Sequence, residues 1–480
     1  MEHKRRTKLV CTIGPATSEY SIMEKMIDEG MDVARLNFSH GNYEFFENAI
    51  KNLRKASHKL KKEVGILGDL QGPKIRIGEL AQGELFLKSG SKINIDSNPE
   101  KGNGSRIGIH PEEVIKDIQE EDRVLLSDGL VSLKIIEKGV DSFLCEVENE
   151  GVIRSRAGVN LPDTSLSLPS LMDKDLNDLE FIVEQDLDFI ALSFVRKKED
   201  VLQLKKRMEK LKCNVPVISK IEKPEAMKNI EGIIDVSDGI MVARGDLGVE
   251  CSPELVPVYQ KEIINSCNKK GKFVITATQM LESMIHNPRP TRAETSDVAN
   301  AIIDGTCAVM LSGETSIGKY PLEAIRMINK VAQMSEIMIK RKKKEDFYIF
   351  DRENISEGIA RVACSLSGSL NASLIACLTH TGSTAQYIAK YRPEVPIIAV
   401  SDKVKCIRKM TIIWGTSAIK VEEIKNTDES LREIESKIET IPGLNENDII
   451  ILTAGIPTLE KGSTNMVKVH KISRSRRSLL

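Results

Sequence analysis

The chain has 480 residues, 69 Lys plus Arg against 70 Asp plus Glu, 41% hydrophobic residues and a single tryptophan, Trp414. The near-zero net charge argues against a nucleic-acid-binding or polybasic membrane protein, because both need a standing positive field. At roughly 100 to 200 residues per domain, the length predicts about three domains that each bury a core, and the composition excludes a disordered chain.

The N-terminus carries no recognisable export signal. The charged run 2–6 leads into a short apolar segment, without the long apolar region and small-residue cleavage site that export needs. No apolar run approaches the ~20 residues required to cross a bilayer. The nine cysteines are scattered without a Cys-x-x-Cys pair, which predicts free thiols in a reducing cytosol. We therefore expect a soluble, cytoplasmic protein.

Eight short apolar runs are the strongest pattern in chain order. Strands buried on both faces of a parallel sheet lose the alternation of apolar and polar residues and appear as such runs. The eight runs are 8–13, 33–38, 64–70, 189–194, 215–221, 239–244, 273–278 and 308–312. Amphipathic stretches lie between most of them, for example 21–29, 45–60, 175–185, 201–211 and 257–270. Eight strand–helix units predict a (β/α)8 TIM barrel; a doubly wound open sheet is the competing architecture.

About a hundred residues separate the third run from the fourth, and their pattern changes. Short strand-like segments at 85–87, 92–95, 124–127, 130–136 and 143–147 alternate with turn signals at 102–104 and 128–129. These segments predict an inserted small β-barrel domain. An insertion after a barrel strand lies over the catalytic face, where it can act as a lid.

A smaller α/β domain follows the eighth run. A predicted helix over 322–338 ends in a basic cluster at 340–344, which is typical of a helix C-terminus and linker. Strand-like runs at 374–378, 397–400, 418–421 and 449–453 alternate with helices, and 473–480 is a predicted frayed tail. The predicted domains are a barrel in two parts at 1–72 and 161–342, an inserted β lid at 73–160, and a C-terminal α/β effector domain at 343–480.

Polar residues stand at or just beyond the ends of most of the apolar runs. Because the active site of a barrel lies at the C-terminal ends of its strands, these residues form one candidate site. In run order they are Arg35, Asn37 and Ser39; Asp69, with Lys74 and Arg76 beyond; Lys220 and Glu222; Arg244, Gly245 and Asp246; Thr278; and Ser312 with Glu314. One charged residue at a strand end is more often a solvated terminus than a catalyst. A lysine between apolar Ile218 and Ile221 has no structural reason to be buried, so Lys220 favours a functional site.

The residue types indicate phosphoryl transfer. Arginine matches the oxygens of a phosphoryl group, and two carboxylates suit Mg²⁺, which keeps positions for substrate oxygens. Phosphoryl transfer depends chiefly on charge neutralisation, which Arg, Lys and a divalent metal provide. The sequence has neither a P-loop nor the Gly-rich loop of protein kinases.

The motifs together resemble the pyruvate kinase family from end to end, and within it the potassium-independent bacterial type. The matching segments are 11–16, 35–41, 69–76, 218–222, 241–248, 276–284, 287–294 and 310–315. The resemblance implies phosphoryl transfer from phosphoenolpyruvate to ADP, giving pyruvate and ATP. It also implies Mg²⁺ (or Mn²⁺) as cofactor and a homotetramer.

The resemblance also assigns roles to matching positions. Lys220 stabilises charge on the phosphoryl group and the enolate, and Arg35 and Arg76 hold the phosphoryl end. Glu222 and Asp246 hold the metal. The remaining assignments are the backbone around Gly245 and Asp246 for the substrate carboxylate, Thr278 near the enolate carbon, and Ser312 as a weaker member of the site. A hydroxyl is a poor acid, so a water relay is at least as plausible a proton donor as Thr278.

One departure concerns the monovalent cation. Many relatives use the side chains at Asn37, Ser39 and Asp69 to hold K⁺ and carry Thr at the position of Leu70 and Glu at that of Lys74. An ammonium at Lys74 supplies the missing charge and repels a second cation. We expect activity without K⁺; the alternative is that Lys74 merely points to solvent.

The resemblance also implies a regulatory site. Thr379, Thr381, Gly382, Ser383 and Thr384 follow a strand and open a helix, where hydroxyl and N–H groups can hold a phosphate. Ordinary helix capping is the alternative. The loop 455–462 completes the pocket without identifying the effector, for which a sugar monophosphate or AMP is favoured over fructose 1,6-bisphosphate. Rival functions are a metal-dependent carbon–carbon lyase and a catalytically dead sugar-phosphate sensor.

Overall fold

The computed structural model describes residues 5–98, 100–339, 354–422, 427–456 and 464–473, without the side chains of 427–431. Its centre is a closed barrel of eight parallel strands. Each strand pairs with the next barrel strand along the chain, and the eighth pairs with the first, with Lys8 opposite Ala308. The barrel prediction is confirmed, and the open sheet is excluded. The strands are Lys8–Thr12, Val33–Asn37, Gly65–Asp69, Phe189–Leu192, Val217–Ile221, Gly239–Ala243, Phe273–Ala277 and Ala308–Leu311.

Helices cover the outside of the barrel, which explains the continuous apolar strands. Every residue of Gly239–Ala243 and of Phe273–Ala277 is buried, because one face meets the barrel interior and the other meets the helices. The α-helices are Tyr20–Glu29, Tyr43–Leu60, Asp173–Glu184, Lys198–Lys210, Pro224–Lys228, Ile230–Val236, Arg244–Glu250, Val256–Lys269, Arg292–Asp304, Gly313–Ser316 and Pro321–Ile339. Short 3₁₀ turns lie at Pro15–Thr17, Pro253–Leu255 and Glu282–Ile285.

A β domain, called the lid below, interrupts the barrel after its third strand. Its seven-stranded sheet runs, in spatial order, Val159–Asn160, Arg123–Leu126, Val131–Lys138, Ser142–Val147, Lys92–Asp96, Arg106–His110 and Arg76–Ile77. The strand pair Glu84–Leu87 and Gly151–Arg154 and the helix Val114–Asp117 complete the lid. The two sheet edges meet, since Arg76 bridges Gly158. The sheet therefore curls into the predicted small barrel around its own apolar core.

The C-terminal domain is a five-stranded sheet with helices. In spatial order its strands are Thr416–Lys420, Ile397–Ser401, Leu374–Leu378, Ile449–Ala454 and Met466–Lys471, and only the last is antiparallel. Its helices are Ile355–Ser369, Ser383–Lys390, Val404–Lys409 and Thr427–Glu439, with a 3₁₀ turn at Met410–Ile412. The basic cluster 340–344, most of the loop 455–462 and the tail 474–480 lie outside the described residues.

The single tryptophan lies where the C-terminal domain meets the barrel. The Trp414 ring is buried, and the guanidinium carbons of Arg392 and Arg6 lie 4.5 and 5.5 Å from its centre. The apolar core of the barrel continues into this domain through residues such as Ile375 and Ile413. None of the nine cysteines forms a disulfide. Within the described ranges, no helix is both long and apolar enough to span a membrane.

Candidate active site

Four charged side chains meet at the C-terminal ends of the barrel strands. Arg35 Nε lies 2.6 Å from Asp69 Oδ2, at the ends of the second and third strands. Lys220 Nζ, on the fifth strand, lies 3.2 Å from Asp69 Oδ1 and 3.0 Å from Glu222 Oε1. Asp69 is thus shared between an arginine and a lysine. The structure brings together the residues that the sequence placed on separate strands.

The lysine at the centre of this cluster is held as a cation. Burial alone lowers the pKa of Lys220, but the opposing charges of Asp69 and Glu222 outweigh burial and raise it above its ordinary value. The pKa of Asp69 is lowered: burial raises it, and the charges of Lys220 and Arg35 more than compensate. The site therefore presents a fixed ammonium and a fixed guanidinium to any anion at the barrel mouth.

Two carboxylates, Glu222 and Asp246, are close enough to interact. Burial raises the pKa of Glu222, Lys220 opposes that rise, and the charge of Asp246 adds to it. Glu222 Oε2 also accepts a 2.7 Å bond from the Phe194 N–H, whereas the Asp246 carboxylate makes no hydrogen bond within the described ranges. A divalent cation relieves this repulsion, so the pair fits Mg²⁺. In the described part of the chain, no group of three or more His, Cys, Asp or Glu side chains is arranged to hold a metal.

Thr278 lies just past the seventh strand with both hydrogen-bonding functions of its hydroxyl in use. The hydroxyl donates to the Ala277 carbonyl at 2.6 Å and accepts from the Gly245 N–H at 2.7 Å. The backbone at Thr278 has a φ of 68°, a left-handed conformation that is uncommon for a β-branched residue. Arg244 supports this turn by donating to the Thr278 carbonyl at 2.8 Å. Thr278 and Gly245 are therefore locked to each other.

Ser312 lies past the eighth strand, beside a buried carboxylate. Its N–H donates to Glu314 Oε2 at 2.7 Å, and Glu314 Oε1 accepts from the Leu281 N–H at 2.9 Å. Burial raises the pKa of Glu314. The Ser312 hydroxyl oxygen is buried and has no hydrogen-bond partner among the residues described. The Glu314 carboxylate therefore accepts hydrogen bonds from the backbone of two loops, and the Ser312 hydroxyl takes no part in them.

Lys74 and Arg76 approach the barrel mouth from the first connection to the lid. The pKa of His40 is lowered by burial first and then by the positive charges of Lys74, Arg76 and Arg35, so three cations act on one imidazole. Arg76 also donates to the Arg156 carbonyl at 3.3 Å. The Lys74 ammonium forms no hydrogen bond or ion pair within the described ranges.

The side chains predicted around a monovalent cation have other partners. Asn37 Oδ1 accepts a hydrogen bond from the Ser39 N–H at 3.2 Å, and the Asp69 carboxylate forms ion pairs with Arg35 and Lys220. Leu70 is buried and offers no side-chain oxygen. Leu70 therefore cannot supply a side-chain ligand to a cation at this position.

Sequence reasoning missed several polar residues in this region. Ser193, at the end of the fourth apolar run, accepts from Lys220 Nζ at 2.8 Å and donates to the Leu70 carbonyl at 2.7 Å. A serine closing an apolar run was a usable signal. Thr12 accepts from Arg35 at 3.0 Å, and the Asp175 carboxylate accepts from the Gly72 N–H at 3.0 Å. A narrow cleft of about 20 Å³ between lid and barrel is also lined by Asn160, Lys223 and Glu250, together with Lys74 and Asp246.

The predicted phosphate loop of the C-terminal domain opens the helix Ser383–Lys390. Thr379 Oγ1 accepts from the Gly382 N–H at 2.9 Å, and the hydroxyl oxygens of Thr381 and Ser383 lie 3.1 Å apart. Thr384 bonds Thr464 at 2.6 Å. The φ of Gly382 is 88°, a left-handed conformation that favours glycine, and a Cβ there would also displace the end of the Met410 side chain.

Comparison with known proteins gives one consistent result. Residues 4–325 match the family model described as pyruvate kinase, barrel domain, and residues 357–470 match pyruvate kinase, alpha/beta domain. The pyruvate kinase of Staphylococcus epidermidis is 43% identical over 477 residues, which cover 98% of this chain and 80% of that protein. That of Staphylococcus saprophyticus is 44% identical over 478 residues. The crystal structure of a pyruvate kinase from Cryptosporidium parvum superposes with a TM-score of 0.90 at 36% identity, covering 97% of this chain and 96% of that one.

Proposed function

The chain belongs to the pyruvate kinase family, and from that membership we propose how its own residues carry out the phosphoryl transfer. The family is one of phosphotransferases that use phosphoenolpyruvate and ADP. We assign the reaction to the barrel mouth, under the lid. The observation that carries this assignment is the largely buried side chain of Lys220, whose ammonium lies between Asp69 and Glu222, with Arg35 on the other side of Asp69.

The cations are assigned to the transferring phosphoryl group. Arg35 and Arg76 hold the phosphoryl oxygens of phosphoenolpyruvate, and Lys220 lies between the phosphoryl group and the enol oxygen. A terminal oxygen of ADP attacks phosphorus while the bond from phosphorus to the enol oxygen breaks. Lys220 then stabilises the enolate without having to move, because Asp69 and Glu222 fix its position.

Glu222 and Asp246 are assigned to Mg²⁺ or Mn²⁺, as family membership implies. When bound, the ion neutralises charge on the phosphoryl and enolate oxygens. The first turn of the helix Arg244–Glu250, around Gly245 and Asp246, binds the substrate carboxylate. The Gly245 N–H already bonds Thr278, so Thr278 acts by orienting this turn.

The enolate carbon receives a proton on the side of Thr278. The Thr278 hydroxyl proton is engaged with the Ala277 carbonyl, which favours a relayed water over Thr278 itself as the donor. Further parts of the proposal are the three domain boundaries predicted above, after residues 72, 160 and 342, and activity without K⁺. We also propose a homotetramer and activation by a sugar monophosphate or AMP at the loop Thr379 to Thr384.

Replacing the central lysine tests the assignment. Lys220→Ala should lower kcat for ADP-dependent pyruvate formation by at least 100-fold, since preorganised charge at a reacting oxygen contributes about that much. Lys272→Ala is the matched control, because Lys272 donates to the Ser237 carbonyl at the opposite end of the barrel strands. Turnover of Lys220→Ala within tenfold of the parent would refute the role given to Lys220.

A further inference from the structure

Three polar side chains in the cleft form a buried network outside the reacting cluster. Lys223 Nζ lies 3.0 Å from Glu250 Oε2, and Asn160 Nδ2 donates to Glu250 Oε1 at 2.8 Å. All three residues are at least nine-tenths buried. Both oxygens of the Glu250 carboxylate therefore have a partner, one on the lid and one on the barrel.

The network joins three elements that the mechanism uses. Asn160 ends the last strand of the lid, where the chain returns to the barrel. Lys223 follows Glu222 directly after the fifth barrel strand. Glu250 is the last residue of the helix Arg244–Glu250, whose first turn carries Gly245 and Asp246. One carboxylate thus connects the lid to the far end of the helix assigned to substrate and metal.

A second contact connects the lid to the same end of this helix. A Cβ built on Gly129, in a lid turn, would lie 3.6 Å from the Val249 side chain. The backbone of this turn is constrained, because Ser127, Asp128 and Gly129 all have positive φ. Seven residues of α-helix span only about 10 Å. Val249 and Glu250 therefore lie about one turn from Asp246 on the same short helix.

Stability alone does not account for a buried ion pair at this place. Removing two charges from water costs about as much as their attraction returns, so apolar residues of similar size would stabilise the fold at least as well. What a buried polar network adds is a unique arrangement of the groups that it joins. Here it fixes the lid strand against the substrate helix.

We infer that Asn160, Lys223 and Glu250 are positioning residues that couple the lid to the helix carrying Gly245 and Asp246. The coupling itself is a property of the fold. Its consequence for substrate and metal rests on the proposed function. A change confined to the lid end of the network should loosen the helix at the barrel mouth.

Hydrogen exchange in the intact protein tests the coupling without reference to turnover. In Asn160→Ala, the backbone amides of Arg244–Glu250 should exchange about fivefold or more faster, a change in proportion to losing a hydrogen bond to a charged group. Asn160→Asp should have a larger effect, because it sets two carboxylates against each other. Asn160→Asp combined with Glu250→Gln should reverse most of that increase, since it restores a carboxylate–amide bond.

Asn329→Ala is the control, because Asn329 makes one amide bond to the Glu29 carbonyl, away from the cleft. It should leave exchange in Arg244–Glu250 unchanged. If exchange in Asn160→Ala and Asn160→Asp stays within twofold of the parent, the coupling is refuted.

Mn²⁺ affinity and KM for phosphoenolpyruvate separate the coupling from the proposed function. In Asn160→Ala, the affinity for Mn²⁺ should fall and the KM for phosphoenolpyruvate should rise, each several-fold, while kcat changes less. Faster exchange with unchanged Mn²⁺ affinity and KM would support the coupling and remove Asp246 from the proposed metal site.

Discussion

Asp69 is the anion whose loss should damage both folding and catalysis. It lies 2.6 Å from Arg35 Nε and 3.2 Å from Lys220 Nζ, fully buried. With an effective dielectric constant of about 20, these pairs attract by about 6 and about 5 kcal/mol. The cost of burying the carboxylate offsets much of that sum. Breaking a buried pair at one partner costs about 3–5 kcal/mol, which is the loss of stability we expect for Asp69→Asn.

The same substitution should lower kcat about 100-fold, because Lys220 and Arg35 lose the group that fixes their positions. Urea denaturation measures the first effect, and a coupled assay for pyruvate measures the second at a temperature where the variant is folded. Asp69 also has a lowered pKa. Its contribution to stability is thus present above the ordinary Asp pKa and is lost as pH falls through the lower folded value. The variant should accordingly show less acid destabilisation below about pH 4.

Asp188→Asn is the matched control, because Asp188 is also buried and paired, 2.8 Å from Arg54, but at the start of the fourth strand. Burial raises the pKa of Asp188 despite Arg54 and Arg408, so its ionised form is less favoured in the folded protein. The control should lose less stability than Asp69→Asn and keep kcat within about threefold. A folded Asp69→Asn that also keeps kcat within threefold would refute the reasoning.

The parent enzyme should turn over equally well in tetramethylammonium and K⁺ buffers, and Lys74→Glu should make turnover depend on K⁺. If the turnover of the parent falls by two or more orders of magnitude without K⁺, the role given to Lys74 is contradicted. Ribose 5-phosphate or AMP should lower the phosphoenolpyruvate concentration at half-maximal rate more than fructose 1,6-bisphosphate does. The Thr381→Val/Ser383→Ala double variant should lose this activation and keep its basal activity. Activation that persists in the double variant would remove the loop from the effector site. The lowered pKa of His40 means that the unfolded chain binds a proton more readily, so stability falls as pH drops below the ordinary His pKa of about 6.5. His40→Gln should therefore lose less stability between pH 7.5 and 5.5 in urea titrations, and an identical loss would contradict that environment for His40.

The barrel was predictable because its strands are buried on both faces. Each of the eight apolar runs became a barrel strand. The lid strand Arg106–His110 was missed because its only apolar residues are two isoleucines on either side of a glycine. The lid strand Gly151–Arg154 was missed because two of its four residues are exposed. The C-terminal strand Met466–Lys471 was missed for the same reason, since none of its residues is fully buried.

The charged residues of the candidate site were predictable from position, because strand ends converge in a barrel. Their pairing was not, since Arg35 and Lys220 reach the same carboxylate from strands far apart in the sequence. The link from Asn160 to Glu250 spans 90 residues. Nothing local marks such a pair, because each residue alone looks like a solvated strand or helix end.

The insertion of the lid also sets the order in which the chain can fold during synthesis. The lid core runs from Ile75 to Leu168 without a break, so it is complete once that stretch has emerged from the ribosome. The barrel closes only when the eighth strand, ending at Leu311, pairs with the first. At about 5–20 residues per second, roughly 7 to 30 s separate the two events. When that interval begins, the first three barrel strands have been synthesised but lack their remaining neighbours in the barrel, so their apolar faces are not yet covered.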